Sequence, residues 1–335
     1  MKHINIPIFI QHMGCPNQCV FCDQHAISGA HCFSFEKVRD DIEACLSTAG
    51  DAVAEIAFFG GSFTGINRSL MISLLELAEG YVREGRVSGI RMSTRPDYIS
   101  REICDILHGY TVSQIELGIQ SFSDKVLLAS QRGHTVSASY DALRLLREEG
   151  FQFVGQMMTG LPGADMESER ETARIICEEG ASAARIYPCI VFKNTPLEGM
   201  TKRGEYTPMT VDEAVERSAA AYRVFLENGV DCLKIGVHES ENLHSENTYF
   251  AGPNHPAIGE LIRGKIYCEN IEKSLDNKDC EGKNITVFVP RGAVSMAVGQ
   301  KGCYKAHILQ KTRAKSLKIL EMEALARYNI SIDIK

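Results

Sequence analysis

Three cysteines near the start of the chain stand close enough together to share one metal centre. Cys15, Cys19 and Cys22 fall within eight residues, with the spacing C-x3-C-x2-C. A structural zinc site usually needs four ligands, commonly as two separated pairs, and a redox dithiol needs only two cysteines. Three thiolates suit three corners of a cubane iron–sulfur cluster, which leaves the fourth iron open to a non-protein ligand. Zinc with a fourth ligand from His12 or His25 is the alternative.

The residues around these cysteines resemble a known motif. The spacing, with the aromatic Phe21 just before the last cysteine, is similar to the cluster motif of the radical S-adenosylmethionine (radical SAM) superfamily. The resemblance implies two cofactors: a 4Fe–4S cluster on Cys15, Cys19 and Cys22, and S-adenosylmethionine, whose amino and carboxylate groups chelate the open iron. It also implies that an electron from the cluster cleaves S-adenosylmethionine to a 5′-deoxyadenosyl radical, which abstracts a hydrogen from the substrate.

Two further segments resemble cofactor contacts of the same superfamily. Gly60-Gly61-Ser62 resembles the glycine-rich turn that holds the methionine amino group, and its glycines let the backbone approach a ligand closely. An ordinary turn between a strand and a helix is the alternative. Farther along, Ser93 and Arg95 are predicted to reach the carboxylate or the ribose of the cofactor. For Arg95, a surface position or a substrate contact is the alternative.

Three later segments resemble the catalytic subunit of the elongator complex and, more loosely, oxygen-independent coproporphyrinogen oxidase. By that resemblance Gln120, Arg132 and Gln156 contact the ribose, carboxylate and adenosine of the cofactor. The coproporphyrinogen enzyme often has an acid at the position of Gln156. Tyr187 and Lys193 are predicted to be catalytic residues that face the cavity, and buried core polarity is the alternative for Tyr187.

Short strand-like runs alternate with helical stretches over the first 240 residues. Strands separated by helices favour a parallel sheet with right-handed crossovers. The pattern predicts an α/β fold over 1–240, a partial or full (β/α) barrel with its functional groups in the loops that follow the strands. The resemblance implies that this barrel is of the radical SAM type. A flat doubly wound sheet is the alternative. The predicted strands are Ile4–Ile10, Glu55–Phe59, Gly89–Ser93, Ser113–Gly118, Gln152–Met158, Ala184–Val191 and Cys232–Gly236, and the predicted helices are 36–47, 68–83, 100–108, 136–148, 167–179 and 211–228.

The end of the chain differs from the rest in charge. The net charge of the chain is −7, yet residues 283–335 contain ten Lys and Arg against three acids. This excess suits a polyanionic partner, and a solvated helix with basic residues outside is the alternative. The elements predicted here are a strand, a short helix, a turn, a basic helix and a last strand. They cover Ile285–Val289, Ala293–Val298, 299–302, Cys303–Tyr328 and Ile330–Ile334.

This order of elements, a small α+β module, resembles the core of a KH domain, whose GxxG loop clamps the nucleic-acid backbone. The resemblance implies that the RNA-binding residues are Gly299, Gln300, Lys301, Gly302 and Lys305. A small dimerisation or capping domain with a basic exterior is the alternative. Residues 241–282 are predicted to close the barrel and to link it to this module.

Composition and length restrict the function further. The chain is 44% hydrophobic and 24% charged, which excludes a disordered protein. Its apolar runs are far shorter than the roughly 20 residues of a membrane span, and no secretory signal is recognisable, so we expect a cytoplasmic protein. About 95 residues follow the predicted barrel, too few for the acetyltransferase domain of the elongator subunit. Acetyl-CoA chemistry is therefore not expected.

These features together predict a radical SAM enzyme that acts in RNA modification, with tRNA or rRNA as its substrate. The expected protein partner is an electron donor such as flavodoxin or ferredoxin. One alternative keeps the same chemistry but assigns it a protein or small-molecule substrate. The other is a zinc-stabilised, non-catalytic RNA-binding protein. No membrane partner is expected, and the sequence predicts no oligomeric state.

Overall fold

The computed structural model describes residues 3–10, 12–16, 19–23, 33–236 and 248–335. Seven of its strands form one parallel sheet, and their order in the sheet follows their order in the chain. In a doubly wound sheet the strand order reverses part-way through the sheet, so the alternative of a flat doubly wound sheet is wrong. The sheet is an open, curled partial barrel, as predicted. Its strands are β1 (His3–Phe9), β2 (Val53–Phe59), β3 (Gly89–Thr94), β4 (Val112–Gln120), β5 (Phe153–Thr159), β6 (Ala183–Pro188) and β8 (Asp231–Ile235).

In the described part of the chain, eight helices precede or follow these strands. The six predicted ones are present with small shifts at their ends, whereas α4 and α7, of six and seven residues, were not predicted. Asp165 and Thr210 start α6 and α8 with capping boxes. The helices are α1 (Phe35–Ala49), α2 (Arg68–Arg83), α3 (Arg101–Leu107), α4 (Asp124–Ala129), α5 (Val136–Glu148), α6 (Met166–Glu178), α7 (Pro196–Lys202) and α8 (Val211–Glu227).

The two faces of the sheet differ in chemistry, because successive side chains on a strand point to opposite sides. On β4, Ile115 and Leu117 belong to the apolar core. Between them Glu116 is buried on the other face, which is the inner face of the curled sheet. Buried parallel strands usually read as continuous apolar runs. Charged residues at these inner positions therefore mark the interior of the barrel as a functional surface.

The sixth predicted strand is divided into two. β6 ends at Pro188, which has no N–H to donate to a neighbouring strand. The chain then forms β7 (Val191–Phe192), which pairs antiparallel with β9 (Tyr249–Ala251) outside the main sheet. The prediction of one strand through Val191 was therefore too long.

The C-terminal part consists of three helices and a second sheet. Helix α9 (Ile258–Leu275) packs against α8 and against α10 (Val294–Val298) and α11 (Cys303–Thr312). It lies within the segment 241–282 that is predicted to close the barrel and to link it to the module, and its Ile271 and Leu275 are buried. Strand β10 (Asn284–Val289) lies between β11 (Ser316–Glu321), which is parallel to it, and β12 (Ser331–Ile334), which is antiparallel. Within the described ranges, no helix is both long and apolar enough to cross a bilayer.

The predicted basic helix Cys303–Tyr328 is wrong beyond Thr312. Arg313 adopts the left-handed conformation, with φ +52°, and ends the helix. After it Leu317 and Ile319 are buried while Lys318 between them is exposed, the period of two of a strand. The observed order is strand, helix, Gly-x-x-Gly turn, helix, strand, followed by one more strand.

Candidate functional site

The loop that carries the three cysteines is fixed to the turn after β2. The Ile10 and His12 amides donate to the carbonyls of Phe59 and Gly60 at 2.8 and 3.0 Å, and the Ser62 amide donates to Met13 at 2.9 Å. The fit is tight, because a Cβ on Gly61 would lie 2.4 Å from the Met13 carbonyl oxygen. The glycine-rich turn is thus the support of the cysteine loop.

The same turn needs its partner glycine in the cysteine loop. Gly14 has φ +72°, and a Cβ there would lie 2.2 Å from the Ser62 carbonyl oxygen. The two loops therefore interlock through glycines on both sides. An ordinary turn between a strand and a helix would not require this, so the structural role of the turn is specific to the cysteine loop.

Basic side chains adjoin the cysteines. Cys19 is buried, and Arg132 donates from Nη1 to its Sγ at 3.2 Å and from Nη2 to the Gly118 carbonyl at 2.6 Å. Burial raises the pKa of the Cys15 thiol, whereas the positive charges of Arg132 and Arg95 act to lower it. Neighbouring cations favour the thiolate, the form that binds metal. Cys22 and Phe21 are half-buried in the same loop, and the alternative zinc ligand His25 lies outside the described residues.

Ser62 and Arg95 are both buried at the carboxyl ends of β2 and β3. The Ser62 hydroxyl is hydrogen-bonded to Thr94 at 2.9 Å and accepts from the Arg95 amide at 3.2 Å. The Arg95 guanidinium donates to both carboxylate oxygens of Asp97 at 2.9 Å, and its Nη1 has no partner among the described residues. The surface position considered for Arg95 is therefore wrong, since the residue is 3% exposed.

Gln120 stands at an irregularity in β4. The register with β5 shifts between Gly118 and Gln120, and Gln120 has φ +69°. Such bulges re-aim side chains beside active sites. Its Oε1 is buried and unpaired within the described part of the chain. A Cβ on Gly118 would lie 3.1 Å from Gln120 Nε2 and 3.2 Å from Arg132 Nη2, so this glycine makes room for both predicted contacts.

Gln156 and Ser93 meet on the inner face. Gln156 Nε2 donates to Glu116 Oε2 at 2.8 Å and lies 3.4 Å from Ser93 Oγ. The structure therefore brings these two predicted residues together, but it also attaches Gln156 to an acid that the sequence analysis did not assign.

That acid is the centre of a buried ionic network. Glu116, 1% exposed, accepts from Arg91 at 3.0 Å and from Arg185 at 2.8 Å through Oε1. Arg91 is also 3.5 Å from Glu55. The sequence signal that could have revealed this network was the position of its charged residues between apolar residues of buried strands. Tyr187 lies beside this network, and burial raises the pKa of its phenol to about 12.

Lys193 lies elsewhere, just after β7. Its amide donates to the Thr248 carbonyl at 2.8 Å, and the residue is half-buried. It belongs to the small antiparallel pair outside the main sheet, whereas Tyr187 lies within β6. The two predicted catalytic residues therefore come from separate structural units.

His134 is a site residue that the sequence analysis missed. It is buried, and neither ring nitrogen has a hydrogen-bond partner within the described ranges. Burial, together with the charges of Arg132 and Arg95, lowers its pKa to about 3, so the imidazole is neutral. The residue stands two positions after Arg132, and only its burial distinguishes it from an ordinary loop histidine.

Comparisons with known proteins match the part of the chain that carries these residues. The family model described as Radical SAM superfamily matches residues 10–176, and a Radical_SAM C-terminal domain model matches residues 181–267. The uncharacterized protein MJ0486 of Methanocaldococcus jannaschii is 31% identical over 226 residues, which cover 63% of this chain and 68% of that protein. The chain belongs to the radical SAM superfamily. It is an enzyme whose cofactors are a 4Fe–4S cluster and S-adenosylmethionine.

Elongator-like proteins are among the similar proteins. The tRNA uridine(34) acetyltransferase of M. jannaschii is 35% identical over 136 residues, which are 40% of this chain and 25% of that protein. The match thus spans only about a quarter of the acetyltransferase. The solved structure of Methanocaldococcus infernus Elp3 with an N-terminal deletion superimposes with a TM-score of 0.61 at 20% identity, covering 82% of this chain and 64% of that one. This likeness supports the fold.

The residues present suit the two cofactors. Buried polar atoms without partners in the described structure gather near the cysteines, on Gln120, Arg132, Arg95 and His134. Buried polar atoms are nearly always hydrogen-bonded, so such a group indicates a polar ligand. The carboxylate, ribose and adenine of S-adenosylmethionine offer both donors and acceptors.

Proposed function

We propose that this chain is a radical SAM enzyme that modifies RNA, with tRNA or rRNA as its substrate. The observation that carries the proposal is the pairing of a cysteine site of this superfamily with a basic module that has an exposed Gly-x-x-Gly turn. The name of the M. jannaschii acetyltransferase, a relative over part of its length, gives tRNA uridine 34 as its substrate and supports the choice of RNA.

The cysteine loop holds the cluster in this proposal. Cys15, Cys19 and Cys22 would hold the cluster beside the site for S-adenosylmethionine. Bound there, the two cofactors would supply hydrogen-atom abstraction by a 5′-deoxyadenosyl radical. The residues that bind S-adenosylmethionine are Phe21, Gly60, Gly61, Ser62, Ser93, Arg95, Gln120, Arg132 and Gln156.

The protein contributes position, charge and exclusion of water. Arg132 joins Cys19 to the Gly118 carbonyl and so fixes one cysteine against β4. Tyr187 keeps its proton on Oη at neutral pH, as an ordinary tyrosine does, and burial raises its pKa further, to about 12. It therefore acts as a neutral phenol beside Arg185. The polar inner face suits a nucleotide better than an apolar substrate.

The C-terminal turn supplies the contact with the RNA backbone. Gly299 and Gly302 have φ +77° and +78°, and Lys301 between them has φ +51° and is exposed. A Cβ on Gly299 would lie 2.6 Å from Cys303 Sγ, so the turn requires glycine there. Lys301 and Lys305 provide charge for phosphates, and the glycines allow close approach.

The test is the yield of 5′-deoxyadenosine from anaerobic, reduced protein with S-adenosylmethionine, measured with tRNA, with rRNA and without RNA. We expect turnover to rise with one RNA class and to be lost in Cys19→Ala. Lys301→Glu should weaken the effect of RNA, while Lys318→Glu makes the same charge change on β11 and serves as the control. Cleavage that is indifferent to both RNAs would refute the RNA proposal and favour a protein or small-molecule substrate.

A further inference from the structure

Two helices of the C-terminal part bring metal-ligand residues together at a distance from the cysteine loop. Helix α9 carries Cys268 and Glu272, and helix α11 carries Cys303 and His307. Each pair is four residues apart and therefore lies on one helix face. Sγ of Cys268, a carboxylate oxygen of Glu272 and a ring nitrogen of His307 all lie within 4.8 Å of one another.

The facing helices hold these groups on rigid backbone. A Cβ on Gly264 of α9 would lie 2.6 Å from the Met296 carbonyl oxygen and 2.8 Å from the Tyr304 ring, so the helices approach each other closely. The Tyr304 hydroxyl also donates to the Leu261 carbonyl of α9 at 2.8 Å. Sites built on packed helices are more exact than sites on loops.

We propose that Cys268, Glu272 and His307 form a second metal site, which takes a divalent transition metal, Zn²⁺ by its ligand preference. Thiolate, imidazole and carboxylate are the protein ligands of zinc. Cys303, one turn before His307, does not belong to the convergent group, so the proposed site has three protein ligands. Lys311, 3.2 Å from Glu272 Oε1, would support the carboxylate from outside the site.

Such a metal would join the basic module to the barrel. Helix α9 packs against α8, whereas α11 begins directly after the Gly-x-x-Gly turn. A metal between α9 and α11 therefore fixes the position of that turn relative to the barrel. This inference does not depend on the substrate or on the radical chemistry.

A second set of the same residue types shows that composition alone does not make the site. Cys104, His108 and Glu149 also combine an i,i+4 pair with a facing acid, and His108 Nε2 lies 3.3 Å from Glu149 Oε2. Their ligand atoms do not converge to the same degree, since among the described residues only the Cys268 group does so. His108→Gln is therefore a matched control for His307→Gln, because both histidines are half-exposed and bonded to a glutamate.

The experiment is zinc binding by the full-length protein after anaerobic cluster reconstitution. Zn²⁺ is titrated against a chromophoric chelator, and zinc and iron are then counted by elemental analysis. We expect one zinc per chain in the parent and in His108→Gln. In His307→Gln we expect affinity to fall by at least the roughly 10- to 100-fold that loss of a supporting group costs a metal site. Cys268→Ser should lose the zinc as well.

Cobalt gives a second measurement that a general loss of folding cannot imitate. With Cys15, Cys19 and Cys22 replaced by alanine, Co²⁺ bound at the second site should show thiolate-to-cobalt charge transfer that disappears in Cys268→Ser and persists in His108→Gln. Absence of zinc uptake by the parent would overturn the proposal. Equal uptake by the parent and His307→Gln would overturn it too, and His307 is exposed enough for that variant to fold.

Discussion

Gly61→Ala tests whether the glycine-rich turn exists to support the cysteine loop. Gly61 does not have a positive φ, so alanine is compatible with its backbone conformation. Its Cβ would nevertheless lie 2.4 Å from the Met13 carbonyl oxygen and 2.6 Å from that of Ile10. Both atoms are backbone, so neither can rotate away. Overpacking of this kind costs about 1–3 kcal/mol, and we expect that loss in the free energy of unfolding of the cluster-free protein.

Gly80→Ala is the matched control for this substitution. Gly80 lies within α2, and no atom lies within 4 Å of the position that its Cβ would take. Alanine there should therefore raise the free energy of unfolding by about 0.5–1 kcal/mol through its higher helix propensity. The assay is urea unfolding of both variants, followed by iron and sulfide content after reconstitution. We expect Gly61→Ala to unfold at lower urea and to carry less iron.

Two outcomes would refute this reasoning in different ways. Wild-type stability with full iron content in Gly61→Ala would show that the loops can separate without cost. If in addition S-adenosylmethionine binding were lost, the glycine would be needed by the cofactor and not by the Met13 carbonyl. Urea unfolding of the cluster-free protein therefore distinguishes a glycine that supports the cysteine loop from a glycine that contacts the cofactor.

Two other predictions concern buried ionisable groups. Glu116→Ala leaves the buried Arg91 and the half-buried Arg185 without their shared acid and should cost about 3–5 kcal/mol in urea unfolding. Glu102→Ala, which removes an exposed pair, should cost at most about 1 kcal/mol, and equal losses would contradict the network. His134 has a pKa of about 3 in the fold and an ordinary value near 6.5 when unfolded, so the unfolded chain alone binds a proton between these values and stability falls as pH drops. From pH 7 to about pH 5 this amounts to about 2 kcal/mol, and His134→Asn should flatten that part of the pH profile; an unchanged slope would contradict a neutral buried histidine.

The barrel and the cysteine loop could be predicted from the sequence because both depend on local patterns. The strand predicted at Gly89–Ser93 has apolar Ile90 and Met92 on either side of Arg91, and the observed β3 differs by one residue. The spacing of Cys15, Cys19 and Cys22 is likewise local. Parallel strands in chain order then place their following loops at one edge, where the predicted cofactor residues lie.

The inner network could not be predicted, because its partners are far apart in sequence. Glu116 pairs with residues 25 and 69 positions away, and only the strand register brings them together. The error at the C-terminus has a different cause. Lys318, between Leu317 and Ile319, suits an amphipathic helix as well as a strand, and β11 exists because β10 offers it a parallel partner. Tertiary pairing decided an ambiguous local pattern there.

Gln120 and Ser62 illustrate how apo stability can separate ligand contacts from structural residues. Ser62→Ala removes the acceptor of the buried Arg95 amide and should cost the cluster-free protein about 1–3 kcal/mol. Gln120→Gly removes a buried amide oxygen without a described partner and relieves a left-handed backbone that costs about 1–2 kcal/mol. The cluster-free Gln120→Gly protein should therefore be at least as stable as the parent.

The binding of S-adenosylmethionine should show the opposite order. Equilibrium dialysis of the reconstituted Gln120→Gly protein should give a weaker affinity for S-adenosylmethionine, because the side-chain amide that would hydrogen-bond the cofactor has been removed. A variant that gains stability but loses ligand affinity has lost a binding residue, since a purely structural residue would lose stability first. If Gln120→Gly instead lost stability and bound S-adenosylmethionine normally, its unpaired oxygen would have no bearing on the cofactor, and the assignment of Gln120 would fail.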